Sequence, residues 1–479
     1  TWLVQSGSAV EFTVSGTVAE IVLAGDECIN NGEDFRPRYQ IYVDDELVKD
    51  STLSKAEEKI TLQLHKEPMV DVPTYALNST VKVIMVSEAM YGAIGVNAVN
   101  LESNLKHPVK PTAKNDLCIE FIGDSITCAY GVEASGNGES FKTTTENFTK
   151  SYAYLTAKQL GADYNAVCYS GHGIISGYTS GDRNTDSLIP DCYEVASKQN
   201  GYAESWDFEN HKNDVVVINL GTNDSSYITA GSNANREERA AEFIEGYVAF
   251  LKTVREKNAD AKIICTLGTM DFENIYEYVS DAVDKYKEET GDEDVTFYQS
   301  VMHTQADGYG ADWHPSEKTQ QNSAYVLADK ICQVLGIESS QIGLDVAADA
   351  VYDIAINTAS GANAAHYVGY DKSFWINTVT GGSSAEDIKA VLSGIGLKKD
   401  GEYRLEFDYT AAKEFDMTFR ITGADVYFTD TVTTGSEKLH YSQEFTCSGT
   451  DENASIEFLV GGQDSCNTTL SAIKLTKIG

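Results

Sequence analysis

Over the first 110 residues apolar and polar positions alternate. Val10, Phe12 and Val14 are separated by polar residues. Tyr39, Ile41 and Val43 repeat the pattern before Asp44-Asp45 makes a turn ahead of Leu47. Leu62 and Leu64 alternate, as do Val81, Val83 and Met85. A period of two sends successive side chains to opposite faces of a strand, so each run keeps one face for a core. Runs of this kind separated by turns predict a β-sandwich over residues 1–110. Nothing in this stretch looks catalytic.

The pattern changes after His107-Pro108-Val109-Lys110-Pro111, a linker signal with two of the chain's seven prolines close together. Leu117 to Ile122 is a short bulky run, as a strand buried on both faces should be. Tyr152 to Leu160 reads as helix ending at Gly161, and Tyr164 to Tyr169 as a second strand. Asp214 to Leu220 is the clearest buried strand in the chain. Arg236 to Asn258 is an amphipathic helix, with Ala240, Phe243, Ile244, Tyr247, Val248, Leu251 and Val254 three or four apart. Further strands are expected at Lys262 to Leu267 and Val295 to Tyr298. Helices are expected at Asp281 to Thr290 and Ser316 to Leu335. Strands alternating with helices predict an α/β/α domain with a parallel sheet over 111–338. Beyond about 345 the period of two returns in Leu405, Phe407 and Tyr409, in Met417, Phe419 and Ile421, and in Ile456, Phe458 and Val460. Leu470, Ile473 and Leu475 close the chain. This predicts a second β-sandwich over 345–479.

Charge narrows the partners. With 36 Lys+Arg and 73 Asp+Glu, the formal net charge of the 479 residues is −37. Such a surface repels nucleic acid and anionic membranes. No apolar run has the length of a membrane span. The chain opens Thr1-Trp2-Leu3 with no initiator Met and no visible signal peptide, so its start reads as trimmed. Nine cysteines, an odd number, are scattered without a Cys-x-x-Cys pair. Cys118, Cys168 and Cys265 fall in or at the end of apolar runs and read as small buried hydrophobes, not as a disulfide framework. Reduced cysteines fit a cytosolic protein or a secreted one from an anoxic habitat.

Chemistry collects where strands of a parallel sheet end at their carboxyl edge. Three such ends carry polar or glycine-rich turns: Gly123-Asp124-Ser125, Ser170-Gly171 and Gly221-Thr222-Asn223-Asp224. A fourth segment, Gly310-Ala311-Asp312-Trp313-His314-Pro315, precedes the last helix. Taken alone, Gly123-Asp124-Ser125 reads first as an ordinary helix cap. With its partners it supplies a nucleophile beside N–H groups that favour negative charge. A serine hydroxyl needs a base. Of eight histidines, His314 sits best, in a loop directly before a helix. His172, beside Ser170-Gly171, is the strongest competitor and His303 a weaker one. His65, His107, His366 and His440 lie in or near the β regions, and His211 reads as a surface residue. Asp312 is the nearby carboxylate, while Asp124 and Asp224 read as loop-fixing residues. No cluster with metal-ligand spacing stands out, and no cofactor is called for.

These blocks resemble the SGNH (GDSL-type) hydrolases in order and spacing over about Asp116 to Leu335. Gly123-Asp124-Ser125-Ile126 is similar to their first block and Gly171 to the second. Gly221-Thr222-Asn223-Asp224 is similar to the third, and Asp312 to Pro315 to the last. The resemblance is closer still to carbohydrate esterase family 2. The run from Gly123 to Gly131, Ser151 to Ala157 and Tyr169 to Ile174 all fit that family. It implies a jelly-roll sandwich ahead of an esterase domain, and removal of acetyl groups from polysaccharides such as xylan and glucomannan. It implies Ser125 as nucleophile and His314 as base. The oxyanion hole it implies consists of the Ser125 and Gly171 N–H groups with the Asn223 side chain, and Trp313 lines the acetyl or sugar site. An acetylated polysaccharide or oligosaccharide is then the partner, and a secreted or cell-surface location follows, with a cytoplasmic one left open.

One departure concerns Asp312. Most SGNH enzymes place the acid three residues before the histidine, where this chain has Ala311. Asp312 is the expected orienter, and a dyad with the histidine held by a backbone carbonyl is the alternative. The C-terminal sandwich resembles jelly-roll carbohydrate-binding modules, with Trp375, Tyr367, Tyr370 and Tyr427 as candidates for stacking on sugar. Two other readings stand beside the polysaccharide deacetylase: a non-catalytic carbohydrate-binding protein on an esterase scaffold, and an esterase for another small acyl ester.

Overall fold

The computed structural model describes residues 1–64, 78–101, 109–198, 201–230, 235–271, 273–305, 307–337, 346–347, 350–368 and 372–477. His65, His107 and Tyr370, named above, lie outside the described residues. The chain divides into two compact units. One comprises Thr1–Lys158 with Ala162–Leu335; the other comprises Gln159–Gly161 with Gly336–Gly479.

The first unit opens with a sandwich of two sheets. One pairs Trp2–Leu3, Ile94–Leu101, Val18–Gly25 and Glu57–Gln63. The other pairs Glu46–Thr52, Arg38–Val43, Asn78–Met85, Ala9–Ser15 and Val109–Pro111. The alternating residues meet between them: Phe12, Val14, Tyr39, Ile41, Val81 and Val83 share one core with Ile21 and Leu23 of the facing sheet. Leu47 is the exception, exposed on an edge strand.

The same unit continues into a five-stranded sheet, all parallel, in the spatial order Asp163–Cys168, Cys118–Gly123, Val215–Asn219, Lys262–Leu267, Val295–Gln299. Numbered along the chain this is 2-1-3-4-5. The order in which strands are added reverses between its first and third strands, the switch point at whose carboxyl edge a crevice opens. Helices Arg236–Lys257 and Tyr276–Thr290 cover one face. Phe243, Tyr247, Leu251, Val279 and Tyr286 pack on Val216, Ile218, Ile263 and Cys265. Burying a side chain of this size contributes on the order of 2 kcal/mol. Helices Tyr152–Gln159 and Glu317–Leu335 cover the other, where Phe121 meets Tyr152 edge-on. The helix Thr222–Thr229 was not foreseen, because its polar sequence has no apolar stripe.

Loops join the sandwich to this sheet within the unit. The Arg38 guanidinium, almost fully buried, pairs with Asp50 and Glu133 and donates to the carbonyls of Thr144 and Glu146.

The second unit is a sandwich of two five-stranded antiparallel sheets. Leu405, Phe407, Met417, Phe419, Ile421, Ile456, Phe458, Leu470 and Leu475 fill its core as their spacing predicts. None of the nine cysteines is in a disulfide, and Cys118 is only half-buried. No helix among the described residues is long and apolar enough to cross a membrane.

Candidate active site

Ser125 begins a one-turn helix, Ser125–Cys128, directly after the first strand of the sheet. Asp124 caps that helix, its Oδ1 accepting from Ile126 N–H at 3.0 Å. The turn is held from beneath, where Gln320 Nε2 donates to Ile126 O at 2.9 Å. Strand pairing sets Gly123 beside Cys168 on one side and Asn219 on the other. Ser125, Gly171 and Asn223 follow these three neighbours by a few residues, so three adjacent strand ends deliver them to one crevice.

On the base side, His314 Nε2 lies 2.8 Å from Ser125 Oγ, and His314 Nδ1 lies 3.1 Å from the Ala311 carbonyl. A carbonyl can only accept, so Nδ1 carries the proton and Nε2 presents its lone pair to the serine hydroxyl. Burial lowers the His314 pKa to about 4, against the raising effect of the Ala311 carbonyl. The imidazole is therefore neutral near pH 7, as a base must be. Its ring stacks on Tyr130 with centroids 4.1 Å apart, and Tyr130 stacks on Phe141 at 4.2 Å. Ala311 is placed by a close approach: its N–H donates to Gly131 O at 3.0 Å, and a Cβ on Gly131 (φ +54°) would come within 2.3 Å of Ala311 Cβ.

Asp312, expected to orient His314, is turned elsewhere. Its Oδ2 accepts from Tyr130 Oη at 3.0 Å and from Phe141 N–H at 3.3 Å. The reason is local backbone: Asp312 (φ 49°) and Trp313 (φ 69°) both take left-handed conformations, unusual for two consecutive non-glycine residues. The same twist leaves Trp313 56% exposed beside His314. Asp312 thus acts on the tyrosine that the imidazole rests against.

On the oxyanion side, Gly171 sits at φ +76°, a conformation glycine adopts without strain. Among the described residues the N–H groups of Ser125 and Gly171 have no hydrogen-bond acceptor. Asn223 Nδ2 donates to the His172 carbonyl at 2.8 Å and, more weakly, to Asp124 Oδ2 at 3.2 Å. Asp224 is fully buried and accepts from the N–H groups of Ile174, Ile175 and Ser176 at 2.8–3.0 Å, fixing the loop after Gly171. Burial, and then the charge of Asp224, raise Asp124 to about 7. His172 is buried with its Nδ1 3.0 Å from Ser170 O, so it braces this loop and does not compete as the base. His303 is buried against Tyr309.

Four contributors had no signal in the sequence reading. They are the identity of Ala311 as the carbonyl in the dyad alternative, Tyr130 under the imidazole, Glu88 against Ser170 (both Ser170 N–H and Oγ–H donate to it), and Tyr178. Tyr178 is 69% exposed, and its N–H donates to Gly171 O at 2.8 Å. In the second unit Trp375 is half-buried and stacked at 5.3 Å on the exposed Tyr367. Tyr427 packs in the core, and its hydroxyl donates to Asp451 at 2.8 Å. Among the described residues Glu88, Cys128 and Glu146 form the one group with ligand-type atoms within 4.8 Å of one another.

Residues 121–321 match the GDSL-like Lipase/Acylhydrolase family. The proteins similar to this chain include esterases, and the similar solved structures include a family two carbohydrate esterase. It is 37% identical over 222 residues to the cellulase/esterase CelE of Acetivibrio thermocellus, covering 46% of this chain and 26% of CelE. It is 33% identical over 238 residues to an acetylxylan esterase / glucomannan deacetylase of Cellvibrio japonicus, covering 48% of this chain and 63% of that protein. Among solved structures it is similar to a family two carbohydrate esterase from Clostridium thermocellum in complex with cellohexaose. The TM-score is 0.59 at 29% identity, over 70% of this chain and 94% of that one. The chain thus spans about a quarter of CelE and less than two thirds of the Cellvibrio protein.

Proposed function

We propose that this protein is a serine esterase that removes O-acetyl groups from plant polysaccharides of the xylan or glucomannan type. The observation that carries the reading is the Ser125 Oγ–His314 Nε2 contact of 2.8 Å, with Nδ1 anchored on a carbonyl. The names of the relatives, acetylxylan esterase and glucomannan deacetylase, support the substrate class. A polymeric substrate calls for a secreted or cell-surface protein. The reading assigns three working parts: the sandwich 1–110, the esterase domain 111–338 and a carbohydrate-binding module 345–479.

Ser125 Oγ attacks the ester carbonyl carbon while its proton passes to His314 Nε2. The charge on the carbonyl oxygen is met by the Ser125 and Gly171 N–H groups and by Asn223 Nδ2. For Asn223 this means exchanging its longer bond to Asp124 for the oxyanion. The tetrahedral intermediate collapses, and the sugar oxygen leaves with the proton from His314. Water then attacks the acetyl-serine, giving its proton to His314, and acetate departs as Ser125 recovers its hydrogen. Donors fixed in advance at the oxyanion are worth about 3 kcal/mol each in transition-state stabilisation. The exposed rings of Trp313 and Tyr178 offer apolar faces to sugar beside the crevice. No step draws on a metal or cofactor.

Acetate release from acetylated xylan and acetylated glucomannan tests the substrate class. Release from neither, with nitrophenyl acetate still cleaved, leaves an esterase for another small acyl ester. For the C-terminal part, Trp375→Ala in the full chain should weaken retention on soluble glucomannan or xylan without changing small-ester turnover. Unchanged retention removes Trp375 from any sugar site.

A further inference from the structure

Beneath the oxyanion side lies a buried pair of carboxyl groups that the reaction does not use. Glu88 belongs to the N-terminal sandwich, three residues after the strand Asn78–Met85, and is fully buried. Glu146 is fully buried too, in the loop that leads to the helix Tyr152–Gln159. Leaving a buried carboxyl without partners is expensive, so each oxygen needs an account. Glu88 Oε2 accepts from Ser170 N–H at 2.7 Å, and Glu88 Oε1 accepts from Ser170 Oγ. The Glu88 N–H in turn donates to Glu146 Oε2 at 2.9 Å, while Glu146 Oε1 is buried with no hydrogen-bond partner among the described residues. Nearby, Phe148 N–H donates to Val86 O, and Arg38 donates to Glu146 O, so both glutamates stand on well-fixed backbone. Ser170 immediately precedes Gly171.

We propose that Glu88 is a positioning residue for the oxyanion hole. Its carboxylate, reaching over from the N-terminal sandwich, grips Ser170 by two donors and thereby sets the direction of the Gly171 N–H. The proposal rests on the esterase reading above. It adds that the sandwich, in which nothing looks catalytic, is part of the catalytic apparatus.

Two features of the pair favour a hydrogen-bonded clamp over a cation site, although Cys128 lies close enough to complete a set of three ligand-type atoms. Both Glu88 oxygens and Glu146 Oε2 already face N–H or O–H donors, whose hydrogens point where a cation would sit. Burial, and then the charge of Glu88, push Glu146 well above the usual carboxylate range, and burial raises Glu88 as well, so the site favours neutral carboxyl groups over bare charges.

The test is Glu88→Gln in the full chain, beside wild type, Ser170→Ala and Ser125→Ala. Gln keeps the size of the side chain but turns an N–H2 toward a Ser170 donor. Expected with nitrophenyl acetate is a kcat about tenfold to a hundredfold lower, the scale of a small misplacement of a reacting group, with KM within about twofold. The Ki of a methyl trifluoroketone, whose adduct with Ser125 carries the oxyanion, should rise by the same factor as kcat falls. Ser170→Ala should show a smaller loss in the same direction. It leaves Glu88 in place and carries the test if Glu88→Gln does not fold. Wild-type kcat and Ki in both variants overturn the proposal. So does a kcat loss that only tracks the folded fraction, with Ki unmoved. One metal ion per purified chain, whose removal reproduces the Glu88→Gln defect, overturns it as well. Activity in the wild type that survives Ser125→Ala instead overturns the esterase reading, and so separates the two failures.

Discussion

The two sides of Ser125 are built differently. The base side centres on a short stretch, in which Ala311 holds His314 three residues on and Asp312 lies between them, closed by Tyr130 and Gly131 from the loop after the nucleophile, with Tyr130 182 positions from Asp312. Its side chains are partly open to solvent, and its backbone is twisted into left-handed conformations at Asp312 and Trp313. The oxyanion side is assembled from far apart in the chain and is buried. Glu88 reaches Ser170 across 82 positions, and Asp224 reaches Ile174, Ile175 and Ser176 across about 50. The contrast matches what each side must do. The histidine has to accept and return a proton, so its surroundings need only keep one tautomer. Oxyanion donors act by being fixed before the charge appears, and buried charged acceptors provide that fixity.

Several substitutions would break or sharpen this contrast. His314→Ala removes the base outright and should lower kcat for nitrophenyl acetate by about 10⁴-fold or more. Next comes Asn223→Ala, which deletes one donor on the rigid side and should reduce kcat by about 10²–10³-fold with little change in KM. Asp312→Asn should be far milder, about tenfold or less, because the imidazole is anchored on a carbonyl; a true orienting carboxylate would lose about 10⁴-fold. A loss of that larger size would show that Asp312 swings onto His314 during turnover and that the base side is not carbonyl-held.

The pH profile gives the smallest effect and a clear sign. His314 must be neutral to act, and burial holds its pKa down, to about 4. The acid limb of kcat/KM should therefore fall well below the ordinary histidine value near 6.5. Tyr130→Ala, which opens one face of the ring to water, should move that limb upward toward it. A limb at the ordinary value in the wild type would contradict the buried, neutral imidazole.

The contrast also explains what could be read in the sequence. Val215–Asn219 and Lys262–Leu267 announce themselves because buried parallel strands are continuous apolar runs. Ser125 and His314 stand in local motifs, and so did Asn223 and Gly171 once strand ends were aligned. Whether Asp312 or a carbonyl serves His314 was not legible, because that depends on the φ of Asp312, which no side-chain pattern encodes. Glu88 was invisible for a different reason. It lies in a sandwich whose alternating pattern speaks only of its own core, and its partner is set by how the sandwich packs on the sheet. The packing of Tyr427 in the core was not legible, because an aromatic on a strand reads the same whether its face is buried or open.

The central claim is that Ser125 and His314 together hydrolyse acetyl esters. It is tested most directly by acetate release from acetylated glucomannan and xylan by the wild type and by folded Ser125→Ala, side by side. The account predicts steady release by the wild type from at least one of them and loss of about 10⁴-fold or more in the variant. Turnover in the variant close to that of the wild type would contradict it.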